Sequence, residues 1–216
     1  MKLSRLALLV APLALSACVQ LLPDPPPAPR IYPLEAQVSP APQPIAARSE
    51  AVAVVARPSG PQVLMGDGIV WRQNGVFAFM EASSWPGNAP DLLQGLIAET
   101  ITRQGRLAAG VRTGDGMRGD LEVRWDLIAF EIVEEGGALN ARFAANARVV
   151  RTRGRELLAS EIIDVTEPLS DRSGGAAARA LSQAANQGAA RIADLTAEAA
   201  ARLPVEAQPS AESISR

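Results

Sequence analysis

The sequence predicts an α+β fold, a mostly antiparallel sheet packed by two helices, and three observations carry that expectation. Asn74-Gly75 joins two apolar runs, the strongest short hairpin signal in the chain. Between Leu121 and Val165, apolar and polar residues alternate through segments joined by short turns, which is the pattern of an antiparallel meander with one wet face. Two stretches, 84–104 and 174–203, repeat apolar residues at helical spacing. Strands and helices that are segregated in this way make α+β.

The chain begins with Met1-Lys2-Leu3-Ser4-Arg5, an apolar run from Leu6 to Leu15, and Leu15-Ser16-Ala17-Cys18. A cationic start, an apolar stretch and small residues form a secretory signal. The run is too short for a bilayer, which takes about 20 residues. The four residues ending at Cys18 match the bacterial lipobox. They set the expectation of cleavage before Cys18, with residues 1–17 as signal peptide, and of lipidation at that cysteine. The alternative is a soluble secreted protein with one unpaired thiol. Each buried methylene adds about 0.8 kcal/mol of membrane affinity, so a multiply acylated cysteine anchors firmly. Val19, in place of an inner-membrane-retaining aspartate, points to the periplasmic face of the outer membrane.

Residues 18–49 read as the lipidated cysteine and a tether. Nine prolines from Pro23 to Pro44 forbid helix and sheet and favour extended polyproline backbone. Arg30-Ile31-Tyr32-Pro33-Leu34 interrupts it with apolar bulk and is expected to dock or to form a first edge strand. Residues 50–203 are the folded domain. Ala51 to Val55 is a buried strand, and 68–72 and 76–80 flank the hairpin turn. Ser84 to Asp91 is a helix entry with an N-cap candidate, early proline and early acid. Its helix runs to about Gln104 with Leu93, Leu96, Ile97 and Ile101 on one face.

Leu121, Val123, Trp125 and Leu127 then alternate with charged residues before the phase slips onto Ile128, Phe130 and Ile132. A one-residue slip within a long strand predicts a β-bulge. Strands from Leu139 to Val149 and from Leu157 to Val165 complete the meander, the last after the turn Arg153-Gly154-Arg155. In the closing Ala-rich helix, Ala177, Leu181, Ala184, Gly188, Ile192, Leu195 and Ala199 make one stripe. Its small residues permit close packing on a sheet or on a partner, a second copy included. Residues 204–216 are polar and read as a flexible tail.

Composition narrows the chemistry. The 216 residues include no histidine, one lysine (Lys2) and one cysteine. That excludes imidazole-based triads and metal sites, and, after signal cleavage, lysine dyads and Schiff bases. The mature chain would carry 19 arginines against 23 acids, a net of −4, which argues against a nucleic-acid binder. No cofactor or metal is expected. Glu131, Glu134 and Glu135 form the densest carboxylate cluster, but they run into Gly136-Gly137 and read as a solvated hairpin end. Gly114-Asp115-Gly116-Met117-Arg118-Gly119 spells a dinucleotide-binding fingerprint, yet a strand follows it where a helix would have to open.

Candidates for partner or headgroup contact are Arg142, Arg148, Arg151 and Arg153, the basic concentration along one strand and turn, and Trp85 at the helix entry. Each has a plain alternative: arginines balanced by neighbouring acids, and a tryptophan in the core with most other aromatics.

The order of parts resembles the ABC-type transport auxiliary lipoproteins, the PqiC-like components of MCE-type transport systems. The resemblance rests on the lipobox, the Pro-rich stretch, Arg30-Ile31-Tyr32-Pro33-Leu34, the β segment ending at Trp85-Pro86, the helix, the meander and the Ala-rich helix. It implies a non-enzymatic lipoprotein, anchored at the outer membrane through its lipid. Its role would be to dock an MCE-domain protein, served by an inner-membrane permease and ATPase, in lipid traffic. A structural envelope lipoprotein that binds peptidoglycan or an assembly complex is the competing reading. A hydrolase working through carboxylates alone is a third.

Overall fold

The computed structural model describes residues 28–37 and 49–203. Cys18, most of the proline-rich stretch and the tail from residue 204 lie outside the described residues. In chain order the elements are β1 (Arg30–Ile31), β2 (Val52–Val55), a 3-10 turn (Gln62–Leu64), β3 (Gly68–Gln73), β4 (Val76–Ser84) and α1 (Ala89–Gln104). They continue with β5 (Ala109–Arg112), β6 (Leu121–Glu135), β7 (Ala138–Arg151), β8 (Leu157–Pro168) and α2 (Gly174–Ala200).

All eight strands join one sheet, and the α+β class holds. The sheet is mixed, which corrects the expectation of a mostly antiparallel one. β6 is its spine. Along one edge β6 pairs antiparallel with β7, which pairs antiparallel with β8. Its other edge takes β2 in parallel near its start, Ala53 opposite Leu121, and β3 in parallel near its end, Val70 opposite Glu131. Outward from these, β5 pairs parallel with β2, β4 pairs antiparallel with β3, and β1 pairs parallel with β4. The physical reason is length. A 15-residue strand offers room for two shorter partners on one edge, and parallel partners need crossovers, which the chain supplies through α1 and the long 56–67 connection.

The predicted bulge is present. The β6–β7 register shifts between Leu127 and Ala129. Leu127, Phe130 and Ile132 are buried on either side of it, while Ile128 itself is the extruded residue and is exposed.

Both helices cover the same face of the sheet. Ala53, Val55, Leu121, Val123, Ala145 and Val149 line that face with no exposure at all. Across it, a Cβ on Gly188 of α2 would fall within the ring of Phe143. A Cβ on Gly110 of β5 would overlap the Ala98 carbonyl oxygen and Ile101 of α1. The α2 stripe read from sequence is thus spent on the sheet. At the helix ends, Ser173 Oγ accepts the Ala176 N–H at 3.2 Å, and Gly105 closes α1 in the left-handed conformation.

The Arg30–Gln37 stretch is stitched to the body. Beyond β1, the Tyr32 N–H donates to the Ser84 carbonyl at 3.0 Å. The Gln37 N–H donates to Asn186 Oδ1 at 2.7 Å, and Asn186 Nδ2 donates back to the Glu35 carbonyl at 3.0 Å.

Candidate functional site

Two of the predicted arginines, Arg142 and Arg148, stand on the sheet face away from the helices. Arg142 donates two hydrogen bonds to Asp164, at 3.0 and 2.6 Å, and Arg148 pairs with Asp126. Arg124 pairs with Glu122 beside them at 2.8 Å. Register places Arg142 opposite Glu131 and Arg148 opposite Arg124, so the paired acids keep like charges from repelling across the ladder. The hydrogen bonds from Arg142 hold the Asp164 carboxyl below the ordinary carboxylate range; burial opposes them and the guanidinium charge adds to them. The same contacts raise Arg142 further above neutrality. Arg151 sits at the strand end, paired with Glu156, and Arg153 lies in the turn before β8. The result is an alternating-charge surface on which Ile128 and Ile162 stand exposed, 44% and 71%.

Trp85 is not on this surface. It is 2% exposed, its ring stacks on Phe130 at 5.3 Å, and its backbone N–H donates to the Asp67 carbonyl. A side chain enclosed in this way offers no area to a partner or a headgroup.

The carboxylate cluster also differs from its solvated reading. Glu131 and Glu134 are buried, 4% and 8% exposed. Arg72 of β3 donates to Glu131 at 2.8 Å and reaches Glu135 at 3.4 Å; Arg172, just before α2, engages Glu134. These pairs arise because strands distant in sequence bring arginines to the end of β6. The glycine-rich hexapeptide lies in the loop between β5 and β6, with Gly114 and Gly116 at positive φ and no helix following.

Two depressions are open to solvent. One, of about 430 Å3, lies between α1 and β5 and is bordered by Leu34, Asp91, Glu99 and Asp115. Those three acids are paired with Arg57, Arg103 and Arg112 respectively. The other, of about 320 Å3, lies against the β3–β4 hairpin and is lined by Trp71, Ala78, Met80, Glu134 and Arg172. Among the described residues no group of acids or sulfurs is arranged to hold a metal ion, and no helix is long and apolar enough to cross a membrane.

The β3–β4 hairpin departs from the expectation that most aromatics are core. Val76, Phe77 and Phe79 of β4 are 69%, 47% and 60% exposed. The signal was available. Val76-Phe77-Ala78-Phe79-Met80 is apolar at every position, whereas a strand with one wet face should alternate.

A family model described as the ABC-type transport auxiliary lipoprotein component matches residues 32–193. Among curated proteins no significant match is found. The fold is shared with the crystal structure of protein XCC0632 from Xanthomonas campestris, at 24% identity and a TM-score of 0.70, covering 78% of this chain and 96% of that one. It is shared as well with the crystal structure of an uncharacterised protein, at 13% identity and a TM-score of 0.61, covering 78% and 98%. The family match spans the stitched segment from Tyr32, every strand after β1 and most of α2, and the chain therefore belongs to the ABC-type transport auxiliary lipoprotein family.

Proposed function

We propose that this protein is the non-catalytic, outer-membrane-anchored component of an MCE-type ABC transport system, docking the MCE-domain protein that carries lipid across the periplasm. The family match over residues 32–193 carries this reading. It is supported by a sequence without histidine and with Lys2 as its one lysine, and by the engagement of Glu131 and Glu134 in ion pairs.

In this reading residues 18–49 are the lipidated cysteine and its tether, docked on the body over 30–37, residues 50–203 are the docking domain and residues 204–216 a flexible tail. The open sheet face is the docking surface. Its arginines already hold acids, so it suits a partner of mixed charge better than an anionic headgroup layer. Exposed Ile128 and Ile162 supply apolar contact between the charges.

A photo-crosslinking residue placed at Ile162 in cell envelopes tests the docking. Recovery of the MCE-domain protein is the expected result; recovery of peptidoglycan alone, with both proteins expressed, overturns it. Anchoring is tested separately. Cys18→Ser should move the protein from the membrane fraction to the soluble periplasm, because it removes every acyl chain at once. A variant that still sediments with membranes contradicts lipidation at Cys18.

A further inference from the structure

Parallel pairing gives the N-terminal chain a direction. Arg30 lies opposite Ser83 and Ile31 opposite Ser84, so the chain enters β1 from the side on which β4 begins. That side is the Val76 end, where the β3–β4 hairpin turns through Gln73-Asn74-Gly75. Cys18 precedes Arg30 by twelve residues, a contour of at most roughly 40 Å. From the Gly68–Ser84 pair to the Gln73–Val76 pair the hairpin extends about 17 Å toward the same side. The described chain therefore enters the body from the end at which the hairpin tip lies, and an anchor at Cys18 would lie within a leash's length of that end.

That end carries apolar side chains on both surfaces of the hairpin, beside Arg72 on one and Gln73, Glu134 and Arg172 on the other. Arg72 lies opposite Phe77 and Val70 opposite Phe79, on the face away from the helices. Trp71, Ala78 and Met80 line the open depression on the other face. The helical layer stops short of the tip, because Gly174, where α2 begins, packs against Ser83 at the far end of β4. Val76, Phe77 and Phe79 consequently project beyond the two-layer body, with Ile31 exposed at its base. Water on both faces of a strand calls for polar residues on both, and a contiguous apolar projection of this kind marks an interaction site. The nearest cations, Arg72 and Arg172, are engaged by Glu131 and Glu134, so the attraction on offer is apolar.

We infer that the β3–β4 hairpin is a second membrane contact, with Val76, Phe77 and Phe79 seated in the interfacial layer of the leaflet that holds the acylated Cys18. The inference rests on the anchoring proposed above and adds an orientation to it. Acyl chains retain the protein without help, but a flexible leash leaves the body free to turn. Aromatic side chains partition to the headgroup level, and an apolar surface beds about 5–10 Å deep there. With the hairpin seated, the body presents one fixed aspect to a partner arriving across the periplasm.

The test uses the full-length lipidated protein carrying Val76→Cys. Once Cys18 is acylated, this is its single free thiol. The protein is labelled with an environment-sensitive fluorophore and reconstituted into phosphatidylcholine–phosphatidylglycerol vesicles with brominated acyl chains. Ser160→Cys on exposed β8 is the reference. The Val76 label should shift to the blue and be quenched by bromine, whereas the Ser160 label should do neither. Adding Phe77→Ser and Phe79→Ser should abolish most of that quenching while flotation with vesicles stays unchanged. Flotation with an unquenched Val76 label overturns the inference and leaves anchoring intact. Failure to float removes both. A label equally blue-shifted in detergent, with a mass that grows with concentration, assigns the hairpin to a second copy and overturns it as well.

Discussion

Replacing Gly188 by valine should destabilise the protein by about 3 kcal/mol, the upper part of the range for overpacking a filled core. Gly188 sits at the middle of the buried α2 stripe, directly over Phe143, and an added Cβ would overlap ring carbons Cδ1 and Cε1. Phe143 has no exposure and cannot swing aside. The conflict must therefore be relieved by lifting a 27-residue helix from the sheet, β6, β7 and β8 above all. Valine is the better helix former by a few tenths of a kcal/mol, too little to offset the loss. Thermal unfolding should report a midpoint lower by about 6–12 °C for a body of this size.

The same clash supplies its own control. Phe143→Leu alone loses core contacts, but combined with Gly188→Val it vacates the space that the new side chain needs. The double variant should be more stable than the sum of the single losses predicts, with a coupling of about 1 kcal/mol or more. Additive losses would mean that α2 is not seated on Phe143.

How far the fold was legible follows from where each signal originates. The α2 stripe and the β6 phase slip are local patterns, and each maps to what the body does at that point: seven buried positions on the helix, and one extruded isoleucine. Antiparallel neighbours were legible for the same reason, since their turns lie between them in the chain. The parallel pairings of β2, β3 and β5 were not, because no short segment encodes the meeting of residues such as Val55 and Val123. β5 was hidden further by its glycine. Gly110 interrupts a four-residue strand in order to admit the Ala98 carbonyl oxygen and Ile101 of α1. A strand so short with a gap in its centre shows no alternation.

The candidate surface divides in the same way. The arginine ladder follows from alternation, so its residues were found, while its acids were supplied by neighbouring strands. Glu131 and Glu134 look solvated in sequence, next to Gly136-Gly137, because the arginines that enclose them come from 59 and 38 residues away. Phe77 and Phe79 are the exceptions to the expectation, resting on residue type alone, that most aromatics are core. Their exposure depends on where the helical layer ends, which is a property of the packed body.

The pairing of Arg72 with Glu131 should be the most sensitive electrostatic contact in the protein. Glu131 is nearly inaccessible, and its remaining cationic neighbour, Arg142, already gives two hydrogen bonds to Asp164. Arg72→Ala therefore strands a buried carboxylate. Removal of one partner from a buried pair costs about 3–5 kcal/mol, and because Arg72 keeps some contact with water, the expected loss is at the low end, about 3 kcal/mol. Glu135, mostly exposed, should contribute little to it. Adding Glu131→Gln to Arg72→Ala should recover most of the loss, since a neutral amide tolerates burial far better than a charge. Urea unfolding of the two variants beside the parent measures both effects. A loss below about 1 kcal/mol for Arg72→Ala would place the pair with ordinary surface bridges, and the enclosure of Glu131 at the end of β6 would then have to be abandoned.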